Sequence, residues 1–208
     1  ISAAARPVQH WDASVLETFS PSANTKTWTL HVGNSFTDVP AGSGFFRFGI
    51  IIIIWVPLVF VVWVVTAPFD KGRYWPGYLF RRLCVVHQWL NPLWRFRTSG
   101  VKIDDPRRPY VVVSNHESFV DMLLISHLPW EMKWLSKEDF FKYPLVGWLM
   151  RMAGDIRLVR GNKESIISAM NGCRERLDKK VSVMLFPEGT RSLDGTLGEF
   201  KDGAFRLA

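Results

Sequence analysis

Two stretches of this 208-residue chain carry side chains that can do chemistry. Asn115-His116-Glu117-Ser118-Phe119-Val120-Asp121 sets an imidazole five positions before a carboxylate, just after the β-branched run Val111-Val112-Val113. Phe186-Pro187-Glu188-Gly189-Thr190-Arg191-Ser192 sets an acid, a glycine and an arginine in one turn after a second apolar run. An Asp bonded to one imidazole nitrogen fixes the tautomer and raises the basicity of the other. That makes a general base suited to an alcohol, with no nucleophile required. Arg191 offers a planar fork for a phosphate, and Thr190 and Ser192 offer hydroxyls. Gly189 allows positive φ or a close backbone approach, and Glu188 is placed to orient the arginine or to bond a substrate hydroxyl.

Each reading has a plainer rival. On a straight helix five steps turn about 500°, which leaves His116 and Asp121 about 140° apart. They meet only if His116 precedes the helix and folds back over its first turn, capped by Asn115 or Ser118. A His at a helix cap beside a solvated Asp is the alternative, and spacing alone favours it. The second stretch reads equally as a structural turn with a surface Arg–Glu pair. A third stretch, Gly154-Asp155-Ile156-Arg157-Leu158-Val159-Arg160, ends a strand with another cation. Arg157 and Arg160 have opposite parity on a strand, so at most one faces a given site.

These residues need a scaffold, and from Gly100 onward the pattern is α/β. Strands are expected over 110–114, 132–136, 155–160 and 181–186. Helices are expected over 118–127, over 137–152 with a break near Pro144 and Gly147, and over 163–179. Alternation of this kind predicts a mainly parallel sheet flanked by helices. His116 then lies at a strand's carboxyl end, where open α/β sheets bind ligands.

Upstream, residues 48–69 run about 22 positions without a charge, matching the roughly 20 that span a bilayer core. Pro57 is tolerable inside such a span. A buried core helix or two strands is the alternative, and the length argues against strands. Lys71, Arg73, Arg81 and Arg82 follow the span, which places the downstream side in the cytoplasm or its equivalent. Residues 74–97 show near-helical spacing with basic and aromatic side chains. A helix on the membrane surface and an ordinary amphipathic core helix fit them equally. The resulting organisation is an irregular extension over 1–44, a membrane-anchoring helical segment over 45–97 and an α/β domain over 98–208.

A net charge of +7 and a pI near 9.6 favour anionic partners. Nucleic acid is disfavoured, because the basic residues cluster near the apolar span without a recognisable module. Cys84 and Cys173 form no CxxC and no zinc spacing, and read as reduced structural thiols. A metal hydrolase built from His116, Glu117, Asp121 and His127 lacks the ligand spacing such sites use, so no metal is expected. A catalytically idle lipid-binding protein would tolerate loss of His116 or Asp121, and both are present.

Asn-His-x-Ser-x-x-Asp, then Gly-x-Ile-x-x-x-Arg, then Phe-Pro-Glu-Gly-Thr-Arg-Ser, in this order, resembles the glycerolipid acyltransferase family. Within that family it resembles the 1-acylglycerol-3-phosphate acyltransferases, which make phosphatidic acid. The likeness runs from about Pro92 to Ala208, and includes Lys133-Trp134-Leu135-Ser136-Lys137, residues 143–148 and Phe200-Lys201-x-Gly203. It implies that His116, partnered by Asp121, deprotonates the sn-2 hydroxyl of a lysophospholipid, which attacks the acyl thioester directly. It implies that Arg160, Glu188, Gly189, Thr190 and Arg191 bind the acceptor. It implies no cofactor, with acyl-CoA or acyl carrier protein as donor, and N-terminal helices that seat the enzyme on the bilayer. Glycerol-3-phosphate or another lysolipid is the alternative acceptor. The family's fourth motif, an apolar-Pro stretch, lies beyond the last residue here, so the resemblance implies a domain truncated at its C-terminus.

Overall fold

Two four-residue apolar runs form the centre of the molecule. A computed structural model describes residues 11–19, 26–34, 41–90, 94–100, 105, 107–116, 120–192 and 196–208. In it, β4 (Val111–Ser114) and β7 (Ser182–Leu185) pair in parallel, with Val111 opposite Val183 and Val113 opposite Leu185. Every residue of both strands is buried. That is why they read as continuous apolar runs, as strands covered on both faces must. β5 (Met132–Lys137) pairs in parallel with β7 on one side and with β6 (Ile156–Leu158) on the other. This four-stranded parallel core, β4-β7-β5-β6, is the α/β sheet the sequence predicts.

Side-chain parity divides the core into two layers. Val112, Met132, Trp134 and Met184 pack with Leu124 and Ile125 of α3 (Val120–Ile125). Val111, Val113, Val183 and Leu185 pack with Ala169 and Cys173 of α6 (Lys163–Asp178). Asn162 caps α6, its side-chain oxygen accepting the Ser165 N–H at 2.9 Å. The break expected within 137–152 separates α4 (Glu138–Lys142) from α5 (Val146–Ala153).

The N-terminal third departs from expectation. Residues 1–44 are not an irregular extension throughout: β1 (Trp11–Phe19) and β2 (Lys26–Asn34) lie within them. Nor are residues 45–97 all helical, because β3 (Trp94–Gly100) begins at Trp94. These strands extend the core antiparallel, giving the order β3-β2-β1-β4-β7-β5-β6 among the described residues. Thr27-Trp28-Thr29-Leu30-His31-Val32 does alternate polar and apolar. A register shift between Ser14 and Leu16 interrupts the same alternation in β1 and hides it. Trp94 and Phe96 alternate with Arg95 and Arg97, yet Trp94 also continues the helical spacing of the segment before it.

α1 (Ala41–Thr66) is the one helix among the described residues long and apolar enough to cross a bilayer. Its window Gly49–Thr66 has a mean hydropathy of 2.8, and only 17% of it is buried. Ile53, Ile54, Val61 and Val65 are more than half exposed. The helix continues through Pro57. α2 (Tyr74–Trp89) packs against α1 and α5 around Leu83 and Leu149, and the Trp55 indole donates to the Leu79 carbonyl at 2.7 Å.

Candidate active site

β4 and β7 are parallel neighbours, so their carboxyl ends emerge side by side. The two chemistry-bearing stretches, 72 residues apart in the chain, are stitched together there. The His116 N–H donates to Glu188 Oε1 at 2.9 Å, and the Ser192 N–H returns to the His116 carbonyl at 2.7 Å.

His116 precedes α3, and Asp121 stands in that helix's first turn, which meets the fold-back condition. His116 Nδ1 lies 2.9 Å from Asp121 Oδ2, with the two side chains 14% and 10% exposed. A proton on Nδ1, assigned from that contact, leaves Nε2 as the basic nitrogen. The Phe186 ring stacks on the imidazole at a centroid distance of 4.0 Å and 16°. Trp134 leans on Phe186 at 6.0 Å. The capping reading for Ser118, and Glu117 with it, falls outside the described residues.

A cavity of about 410 Å³ opens beside His116. Its polar lining includes Lys137, Arg160, Gly189, Thr190 and Arg191, and its apolar lining includes Met122, Phe140, Leu158 and Phe186. Arg160 reaches the cavity, whereas Arg157 pairs with Glu138 at 3.5 Å. One space thus combines a base, several cations and an apolar wall. It suits a ligand with a hydroxyl, an anion and a hydrocarbon chain.

Glu188 does not line this cavity. It is buried, and its second oxygen accepts the Gly198 N–H at 2.9 Å. Both oxygens are therefore engaged by backbone, and the side chain braces the turn where the sequence suggested contact with Arg191 or a substrate hydroxyl. Two cations went unassigned in the sequence. Lys137 lines the cavity and pairs with Asp139 at 2.5 Å. Lys201 covers the turn: a Cβ on Gly189 would lie 2.6 Å from its Nζ. Both sit in stretches that carry the family resemblance, which was the available signal.

Gly189 has φ +70°, a conformation costing an L-residue about 1–2 kcal/mol. Gly189→Ala is expected to lower stability by about that amount and to displace Lys201. Thermal unfolding in detergent checks it; an unchanged melting temperature would contradict the strain.

His127 is committed elsewhere. Its Nδ1 meets the Leu123 carbonyl at 2.9 Å and its Nε2 meets Gln88 Oε1 at 3.0 Å. Burial lowers its pKa.

Trp134, which walls the cavity, is anchored from behind. Its backbone N–H donates to Asp155 Oδ1 at 3.0 Å, and Asp155 pairs with Arg81 of α2. Beside them Lys133 Nζ meets Glu131 Oε1 at 2.8 Å and donates to the Arg73 carbonyl at 2.7 Å. Both side chains are fully buried. Burial raises the Glu131 pKa and lowers that of Lys133, each partly offset by the other. Gly77 is where α2 meets this cluster, since a Cβ there would land on the Glu131 carboxylate and the Lys133 ammonium.

Residues 95–208 match the sequence model of the family described as Acyltransferase, and this chain belongs to that family. It is 41% identical over 120 residues to the 1-acyl-sn-glycerol-3-phosphate acyltransferase LPAT1, chloroplastic, of Arabidopsis thaliana, covering 57% of this chain and 34% of that protein. It is 34% identical over 164 residues to a 1-acyl-sn-glycerol-3-phosphate acyltransferase of Chlamydomonas reinhardtii, covering 72% and 46%. Against the human 1-acyl-sn-glycerol-3-phosphate acyltransferase alpha the identity is 34% over 141 residues, covering 66% and 50%. The crystal structure of the 1-acyl-sn-glycerophosphate (LPA) acyltransferase PlsC from Thermotoga maritima is 33% identical, covers 46% of this chain and 37% of that one, and superposes with a TM-score of 0.39. The chain spans about a third to a half of the length of these relatives.

Proposed function

We propose that this chain carries the catalytic part of a membrane-seated acyltransferase. It moves an acyl chain from a thioester to the sn-2 hydroxyl of lysophosphatidic acid, giving phosphatidic acid. The observation that carries the reading is the His116–Asp121 contact of 2.9 Å at the wall of a cavity that Arg160 and Arg191 also line. The names of the relatives support the acceptor.

In the proposed reaction His116 Nε2 takes the hydroxyl proton as the oxygen attacks the thioester carbonyl. The C–S bond then breaks, and the imidazolium returns its proton to the leaving thiolate. No acyl-enzyme forms. Asp121 holds the tautomer and stabilises the imidazolium. Arg160, Thr190 and Arg191, with Lys137, grip the acceptor phosphate. Gly189 shapes the turn and Glu188 braces it. No cofactor is required; the donor is acyl-CoA or acyl carrier protein. In this reading α1 is the membrane anchor, and Lys71 and Arg73 after it support the cytoplasmic or equivalent face for the cavity. In this reading the catalytic unit includes residues 98–208 together with the sheet strands that precede α1.

The test is acyl transfer by membranes containing the intact parent chain, with acyl-CoA and acyl carrier protein offered separately. Phosphatidic acid from lysophosphatidic acid supports the reading. Product from glycerol-3-phosphate alone moves the acceptor. No product with any donor favours a lipid-binding protein.

Arg191→Lys is expected to raise the acceptor KM about tenfold, the loss of roughly one hydrogen bond to a charged group. An unchanged acceptor KM removes Arg191 from the phosphate grip.

A further inference from the structure

A second basic cleft lies at the foot of α1 and shares no lining residue with the cavity at His116. It has a volume of about 340 Å³ and is lined by Trp63, Thr66, Asp70, Lys71, Arg73 and Lys179, among others. We propose that this cleft binds the phosphate of an anionic phospholipid headgroup, at a site separate from the acceptor site.

Depth is the first argument. The apolar window Gly49–Thr66 is 18 residues, about 27 Å of helix, close to the roughly 30 Å of a bilayer's hydrocarbon core. With that window in the hydrocarbon, Thr66 reaches its boundary and the cleft lies at headgroup level. Trp63 and the half-exposed Trp75 flank it, as indoles do at that depth. Phe60, Val61, Val64 and Val65 leave an exposed apolar track along α1 for acyl chains.

Charge is the second argument. Three cations and one carboxylate line the cleft. One oxygen of the carboxylate, Asp70 Oδ2, accepts the backbone N–H of Trp75 at 2.8 Å. Lys179 shares the exposed Glu175 with Arg176, whose guanidinium is 3.1 Å from it. Arg73 is fixed in the left-handed region at φ 53°, bonds the Arg151 carbonyl and lies 6.0 Å from the centre of the Trp63 ring. Burial, and then Arg176, lower its pKa, and Glu175 partly offsets them. Basic pockets on the cytoplasmic side of membrane helices hold anionic headgroups by this chemistry.

The proposal rests on the reading of α1 as a membrane anchor and does not depend on acyl transfer. The test titrates the full chain, in neutral detergent, with short-chain phosphatidylglycerol, phosphatidylcholine and inorganic phosphate, reading bound species by native mass spectrometry. Phosphatidylglycerol is expected to bind at least tenfold more tightly than either of the others. Lys71→Gln with Lys179→Gln is expected to weaken it about 25-fold, near fivefold for each cation removed. Lys163→Gln, on α6, and His116→Ala should bind as the parent does. Equal binding of the two lipids, inorganic phosphate binding as tightly as phosphatidylglycerol, or an unaffected double variant would each overturn the site. His116→Ala separates this result from the fate of the reaction, because it disables the proposed base and leaves the cleft intact.

Discussion

Replacing His116 by alanine is expected to lower kcat for acyl transfer by about 10²–10⁴, the range a positioned general base supplies. The acceptor KM should change little, because Arg160 and Arg191 remain. Asp121→Asn keeps the size of the partner while removing its charge. Its amide can hold the imidazole in the wrong tautomer, so a loss of similar order is expected. The double variant decides whether the two act as a unit. Residues that act through one another lose their effects non-additively, so His116→Ala/Asp121→Asn should be no slower than His116→Ala. Independent, multiplying losses would break the dyad. Retained turnover in His116→Ala would remove the base altogether. The stack on Phe186 is lost with the ring, but the two backbone bonds at His116 remain and keep the loop in place, so the variant reports chemistry and not collapse.

What could be read from the residues follows from how local each determinant is. β4 and β7 were legible because both faces are buried, so the strands are apolar at every step. α6 was legible because its cap and its apolar face lie within one window. The His116–Asp121 contact was legible only as a condition, a histidine ahead of a helix folding back on its first turn. Glu188 was not legible. Its partners are the N–H groups of residues 72 and 10 positions away, and nothing local distinguishes a brace from a ligand. β1 was masked by its own register shift. Glu131 and Lys133 share one side of a short segment and look like an exposed ion pair. Their burial depends on Gly77, on a helix more than fifty residues upstream, where a Cβ would land on both charged groups.

That burial sets the largest stability effect expected here. Lys133→Met removes the ammonium from a pair whose side chains are both wholly buried. Glu131 Oε2 already has no hydrogen-bond partner, so the variant strands the entire carboxyl group, and the Arg73 carbonyl loses one of its two donors, keeping the Gly77 N–H at 3.2 Å. Removing one member of such a pair typically costs about 3–5 kcal/mol. Desolvating two ions also costs free energy, so the pair as a whole need not stabilise the fold. Glu131→Met/Lys133→Met should therefore recover most of the loss, and thermal unfolding of the two variants against the parent reads it. A double variant as unstable as Lys133→Met would mean that the charges are needed for the docking of α2 and are not merely tolerated beneath it. Activity then discriminates further. Arg81 of α2 reaches Trp134 through Asp155, and Trp134 leans on the Phe186 ring that stacks on His116. A double variant that is stable yet slow would show that the seating of α2 is transmitted along that chain of contacts to the base.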